Sequence, residues 1–417
     1  MAGDDFVVEK LPTGQQLITE HLDHLRSVCV GFWIPAGSRE ESADLAGVTH
    51  FIEHLLFKGS TRFSAQQVAE VFDGIGGELN AATSKEYVVV YGRFLQEHLE
   101  TAMEVLLDIL RRPTFADLDR EREVILEEIA MYEDSPQEII HDVFTSVVFG
   151  DHPLGRPILG TAASIAGMAE TDIRHYHQDH FDFPNMVVAA AGYVDHERIR
   201  SLLLECADTG AQPPAGGPDG QPGFAQSRVF VEKDTEQMHV CLGGRGLPRG
   251  DSRRYVLSVL DSVFGGSLSS RLFQEIREKR GLVYSVYSFA TMYRDTGLTG
   301  VYFGSRPDRV KDVVEIVFRE IEKLRTAPVG EEELARAREH LKGRIILGFE
   351  STSSRMTRLG KGLLCELEIL SLDEIARRID SVTGEEVMEL AQELLDQQGL
   401  CAAGIGTDVD SFTQALP

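Results

Sequence analysis

The chain has 417 residues, 42% hydrophobic and 26% charged, which are proportions of an ordinary globular protein long enough for two domains. Its 67 acidic residues against 41 basic ones give a formal net charge of −26, which argues against nucleic acid or an anionic membrane as a partner and suits cationic ones. No apolar run reaches the roughly 18 residues a membrane span needs, and the opening MAGDDFVVEKLPTGQQ has neither a basic nor an apolar leader segment.

The first strands are expected over 6–8, 16–20 and 27–34, the first two joined by a turn at Pro12-Thr13-Gly14. A helix follows over 48–57, VTHFIEHLLF, apolar around most of its circumference and therefore expected to be buried. Within it His50, Glu53 and His54 form H-x-x-E-H. At about 100° per residue both imidazoles and the carboxylate point into one small volume. Two neutral imidazoles at this spacing suit a zinc ion, and an adjacent carboxylate that does not ligate can take a proton from water. Buried and unpaired, the same three groups would cost several kcal/mol.

Ser64 with Gln67 reads as a capping box opening a helix that runs to 75, and Gly76-Gly77 ends it. GGELNAATSKEYVVVYGRF reads as two strands meeting near Ser84-Lys85. Helices are expected over 97–111, 117–132 and 137–148, then from a cap at Thr171 to 181, followed by a strand over 186–191 and a helix over 196–206. Residues 208–223, DTGAQPPAGGPDGQPG, hold four prolines and five glycines and read as an interdomain linker. The second half repeats the order. Strands are expected over 229–231 and 238–242, helices over 254–264, 310–325, 331–349, 372–379 and 384–395, and a strand over 400–404. A duplication explains this, with YVLSVLDSVF standing where the first half has its histidines, so one half alone can hold a metal. The five scattered cysteines point to a reducing compartment.

A third metal ligand is sought in EREVILEEIAMYE. Glu121 and Glu128 are seven apart and stack two turns up one helix face, one to ligate and one to support. Spacing alone leaves this open, because glutamate-rich amphipathic helices with solvated carboxylates are common.

HFIEHLLFKGS, GGELNAATSKEYVVVY, EREVILEEI, HPLGRPILG and SSRLFQEIREKRGLVYS together resemble the pitrilysin family of inverted-motif zinc peptidases, in the branch of mitochondrial processing peptidase and its small bacterial relatives. The resemblance implies an α+β fold of two homologous α/β-sandwich domains, clam-like and joined by a flexible linker. It places a catalytic metal-binding domain at 1–208, the linker at 209–223, and a second domain without metal at 224–417. It implies one Zn2+ per chain on His50, His54 and Glu128, Glu53 as general base and Glu121 behind the ligands. Asn80, Ala81 and Ala82 would pair with the substrate backbone, and Arg277 and Tyr284 would reach the substrate from the second domain. The substrate implied is a peptide or unfolded polypeptide enclosed between the domains, and the expected protein is a bacterial cytoplasmic homodimer. A non-catalytic peptide-binding or structural homologue, or a partner-dependent subunit of a heterodimeric processing peptidase, is the competing reading. His175, His177 and His180 read as packing residues and not as a second metal site.

Overall fold

The structure, a computed structural model, describes residues 6–206, 222–224, 227–396 and 399–416. The linker expected at 209–223 therefore lies outside the described residues except for Pro222 and Gly223. The chain forms two compact units, one of residues 1–130, 157–219 and 347–371, the other of 131–156, 220–346 and 372–417. The division is thus not a single break in the sequence. Residues 131–156 leave the first half for the second unit, and 347–371 leave the second half for the first.

The first unit is built on six strands, β1 (Phe6–Lys10), β2 (Gln16–His21), β3 (Ser27–Ile34), β4 (Glu78–Thr83), β5 (Val88–Leu95) and β6 (Val187–Gly192). Their order is β1-β2-β6-β3-β5-β4, antiparallel except at β2–β6. Alternation along β3 separates two cores. Val28, Val30, Phe32 and Ile34 pack with helices Val48–Leu56 and Leu99–Arg111 on one face. Cys29 and Trp33 pack on the other face with Met356 and Leu359 of helix Thr352–Leu364.

The second unit has β7 (Arg228–Glu232), β8 (Met238–Gly246), β9 (Val283–Met292), β10 (Gly297–Ser305) and β11 (Cys401–Gly406). Their order, β7-β11-β8-β10-β9 with only β7–β11 parallel, repeats that of the first sheet without β1. Helices Arg254–Phe264, Val310–Thr326 and Gly384–Leu394 fill one core. Helix Pro136–Phe149 covers the opposite face, setting Ile140, Phe144 and Val148 against Cys241, Tyr302 and Ala403. The fold is mixed α/β, a topology used twice.

Several elements differ from expectation. Helix Glu170–His180 is entered from Ala169, so Thr171 lies inside its first turn instead of capping it. β9, β10 and helix Thr352–Leu364 have no marked counterpart in the sequence reading. β10 is buried at every position, so it carries no alternation to read. Helix Thr352–Leu364 contains two glycines, which weaken its helical signal but let it lie close to the sheet. A side-chain carbon at Gly360 would stand 2.0 Å from Trp33 Nε1, and one at Gly31 would stand 2.3 Å from Met356 Sδ. The Ser64–Gln67 capping box is present as expected.

The contact at Gly360 leads to a stability prediction. Gly360→Val forces the indole or the helix aside and is expected to destabilise the protein by about 1–3 kcal/mol or more. Gly343→Ala, in a helix where a Cβ meets nothing within 4 Å, is expected to be neutral or to stabilise by up to about 1 kcal/mol. Urea unfolding midpoints of the two variants check this, and equal midpoints would count against the close packing.

Candidate metal centre

The helix Val48–Leu56 starts at Gly47, whose φ of 92° and close approach to the Leu159 carbonyl leave room for no side chain. Glycine has no side chain to accept from the unpaired amides that begin a helix. Glu41 does so from six residues upstream, one carboxylate oxygen accepting from the Gly47 amide at 2.8 Å and the other from the Thr49 amide at 2.9 Å. Thr49 also hydrogen-bonds the Tyr176 hydroxyl at 3.2 Å. With Phe51, Ile52, Leu55 and Leu56 fully buried, the roll of the helix is fixed, and His50 and His54 project from one side.

Opposite them runs helix Leu118–Glu133. Glu128 brings one carboxylate oxygen to 3.4 Å from His54 Nε2 and the other to 3.8 Å from His50 Nε2. The imidazole rings stand edge to face, 4.7 Å between centroids. One donor atom from each of His50, His54 and Glu128 lies within 4.8 Å of the others. Zinc bonds of about 2.0–2.1 Å at tetrahedral angles separate two donors by about 3.4 Å. The donor chemistry and spacing therefore fit a zinc ion. His50 Nδ1 is buried with no hydrogen-bond partner. Burial first, and then neighbouring His54, holds the His50 imidazole down to about 4, so it stays neutral and able to ligate at ordinary pH.

Glu121 sits seven residues before Glu128 and is almost wholly buried. Its carboxylate stands 3.5 Å from His54 Nδ1 and 2.8 Å from Lys58 Nζ. It therefore addresses the ring nitrogen of His54 that faces away from Glu128, with an ammonium balancing its charge. Glu53 accepts a hydrogen bond from the Thr83 hydroxyl at the end of β4. Burial raises its carboxyl above the usual carboxylate range, against the pull of the Thr83 bond and of His54, while Glu128 adds to the rise.

β4 is an edge strand, paired only with β5 among the described residues. Ala81 and Thr83 face the core side, while Asn80 and Ala82 face outward. The Ala81 amide is held by the Asn80 side-chain oxygen at 2.8 Å. Arg277 and Tyr284 belong to the second unit, where the guanidinium lies 5.0 Å from the tyrosine ring centroid and 4.8 Å from that of Phe273. His177 is buried between Phe115 and Phe181, and none of His175, His177 and His180 joins a group able to hold a metal among the described residues.

Three supporting residues escaped the sequence reading. Thr83 shares a strand face with Ala81, two residues on, which was the available signal. Lys58 lies one helical turn beyond His54, just past the end of the helix. Glu41 has no local signal at all, because its target amides are fixed only by the tertiary path of the loop.

A model described as insulinase (peptidase family M16) matches residues 16–162, and one described as peptidase M16 inactive domain matches residues 168–341. An uncharacterized zinc protease of Streptomyces coelicolor is 42% identical over 400 residues, covering 93% of this chain and 87% of its own. One from Bacillus subtilis is 39% identical over 386 residues, with 92% and 94% covered. Among solved structures, a protease from Helicobacter pylori has a TM-score of 0.91 at 19% identity, covering 97% of this chain and 100% of its own. A peptidase M16 inactive domain from Pseudomonas fluorescens has a TM-score of 0.90 at 21% identity, covering 97% and 99%. These two likenesses bear on the fold.

Burial of two histidines sets an acid limit on the metal-free protein. His50 and His177 are both held down to about 4, in each case chiefly by burial, against about 6.5 in an unfolded chain. Between those values the unfolded chain binds protons that the folded one refuses, so stability rises with pH across the window. Their contribution is complete above about 6.5 and is lost as pH falls towards 4. His177→Gln, which removes one of the two groups, is expected to shrink the drop in urea midpoint between about pH 7 and pH 5. An undiminished drop would refute the assignment.

Proposed function

We propose, from the premise that the chain belongs to the M16 peptidase family, that it is a zinc-dependent endopeptidase acting on peptides or unfolded polypeptide. The observation that carries this reading is the convergence of His50, His54 and Glu128 donor atoms beside a Glu53 carboxylate held by Thr83. His50, His54 and Glu128 would hold the ion, which when bound supplies Lewis acidity and acidifies a water. Glu121 orients His54 through Nδ1 and is itself held in place by Lys58. Glu53 then takes a proton from the attacking water and delivers it to the leaving amine. A carboxyl raised by burial is better matched to carrying that proton than an ordinary surface glutamate.

The free edge of β4 offers the peptide a strand to pair with, and small Ala81 and Ala82 let it lie close. For this pairing Asn80 must release the Ala81 amide, exchanging an internal hydrogen bond for one to substrate. We assign Arg277 and Tyr284 to substrate carbonyl contacts, on the resemblance alone. The complete donor set weighs against a non-catalytic homologue. We take the protein to act as a bacterial cytoplasmic homodimer, and activity of the purified chain alone distinguishes this from a subunit that needs a different partner.

Glu53→Gln keeps all three donors, so it is expected to retain zinc while losing about 10²- to 10⁴-fold in kcat. Glu128→Gln is expected to lose both zinc and activity, and Glu127→Gln neither. Zinc content by elemental analysis and a quenched-fluorescence peptide assay, with and without chelator, check these. A Glu53→Gln enzyme within tenfold of wild type would sink the proposal.

A further inference from the structure

The second unit carries a cavity of 570 Å³ where the end of the π-helical turn Phe273–Glu278 meets the end of β10. Arg280, Arg306 and Arg309 line it, and no carboxylate does. In a chain with 67 acids and 41 bases, such a wall runs against the average. The nearby acids compensate the arginines only in part. Asp308 meets Arg306 through one terminal nitrogen at 3.0 Å, and among the described residues Arg309 meets Asp308 at 3.6 Å and Asp312 at 3.4 Å. Glu275 pairs with Arg280 at 2.6 Å and with Lys279 at 2.5 Å; the Lys279 bond, then that of Arg280, holds its carboxyl down to about 2. A guanidinium has five N–H donors, so these contacts leave Arg306 and Arg309 with capacity for another acceptor.

The rest of the lining is mixed, with Gln237, Tyr284 and Ser305 beside Leu282 and Val283. The β9–β10 register shifts between Gly304 and Ser305, which pair with Ser285 and Val283, so Tyr284 is left out of the ladder as a bulge. Its ring is 77% exposed at the rim, beneath the Arg277 guanidinium. On the floor, Gly304 has no side chain where one would stand 2.8 Å from Gln237 Oε1 and 3.2 Å from the Tyr302 hydroxyl. That hydroxyl is 2.9 Å from His239 Nδ1.

We propose that this cavity binds a carboxylate of the peptide, either its C-terminal α-carboxylate or an Asp or Glu side chain, on Arg306 and Arg309. Planar guanidinium forks match a carboxylate in geometry and charge. The inference rests on the peptidase reading only in taking a peptide as the ligand. It also separates local from global charge. The protein as a whole attracts cations, while this cavity selects the anionic end of what arrives.

The test measures fluorescence anisotropy of the full-length, metal-free protein with short fluorescein-labelled peptides. One pair differs in a free or amidated C-terminus, and a second pair carries internal Glu or Gln. The expected result is about tenfold tighter binding of the carboxylate member of at least one pair near 0.05 M salt, fading by about 0.5 M. Which pair shows the effect identifies the source of the carboxylate. In R306Q/R309Q the ratio is expected to fall towards one. Both arginines are exposed, and an unchanged thermal midpoint shows that this variant is folded. Equal binding of acid and neutral peptides by the wild type, a preference that survives R306Q/R309Q, or no peptide binding at all would overturn the proposal. A carboxylate preference without any cleavage once zinc is restored would support the cavity and overturn the peptidase reading instead.

Discussion

The two hydrogen bonds that Glu41 accepts from the first amides of helix Val48–Leu56 are the constraint on which the site depends. That helix begins at a glycine required by a left-handed backbone and a close carbonyl, so it has no cap of its own. A carboxylate at a helix N-terminus satisfies the orphan amides and opposes the positive end of the dipole. Because Glu41 is buried, its position is set by the surrounding loop, and it transmits that position to the helix. Rotation of the helix by one residue would turn His50 and His54 away from Glu128 and into the core now filled by Phe51 and Leu55. The apolar face fixes the roll of the helix in the core, and the cap fixes where it begins.

Much of the metal centre could be read from the sequence because its parts are local. H-x-x-E-H is a relation between residues on adjacent turns, and Glu121 with Glu128 is a relation two turns long. Joining the two helices needed the family resemblance, since no periodicity within either one says which carboxylate meets which imidazole. The parts that stayed hidden depend on tertiary path. Glu41 reaches across a loop, and Thr83 reaches Glu53 from the end of an edge strand. The same contrast applies to the fold. Amphipathic helices and alternating strands announce themselves, whereas β10, buried on both faces, and helix Thr352–Leu364, carrying glycines for close packing, do not.

The two units share one topology and differ in chemistry. In the first, the helix beside the sheet carries two imidazoles and a carboxylate. In the second, the corresponding helix Arg254–Phe264 buries Val256, Leu260, Val263 and Phe264 and has no metal donor set. Its distinctive chemistry lies instead at the end of the sheet, in arginines, tyrosines and a bulge. Metal chemistry needs donors rigidly placed on buried elements, whereas recognition of a charged peptide group tolerates exposed side chains on turns.

The exchange of residues 131–156 and 347–371 has a consequence for how the chain is made. A ribosome releases the first sheet more than a hundred residues before the helix that covers Trp33 and Cys29. Until helix Thr352–Leu364 emerges, that face of the nascent sheet is open to water, and helix Pro136–Phe149 waits with Phe144 and Ile140 for a sheet not yet synthesised. Each half of the gene therefore encodes an unfinished surface, and the halves mature together. A fragment cut at the middle of the sequence would inherit a greasy face in place of a stable domain, and would depend on a holdase or on its complementary fragment to stay in solution.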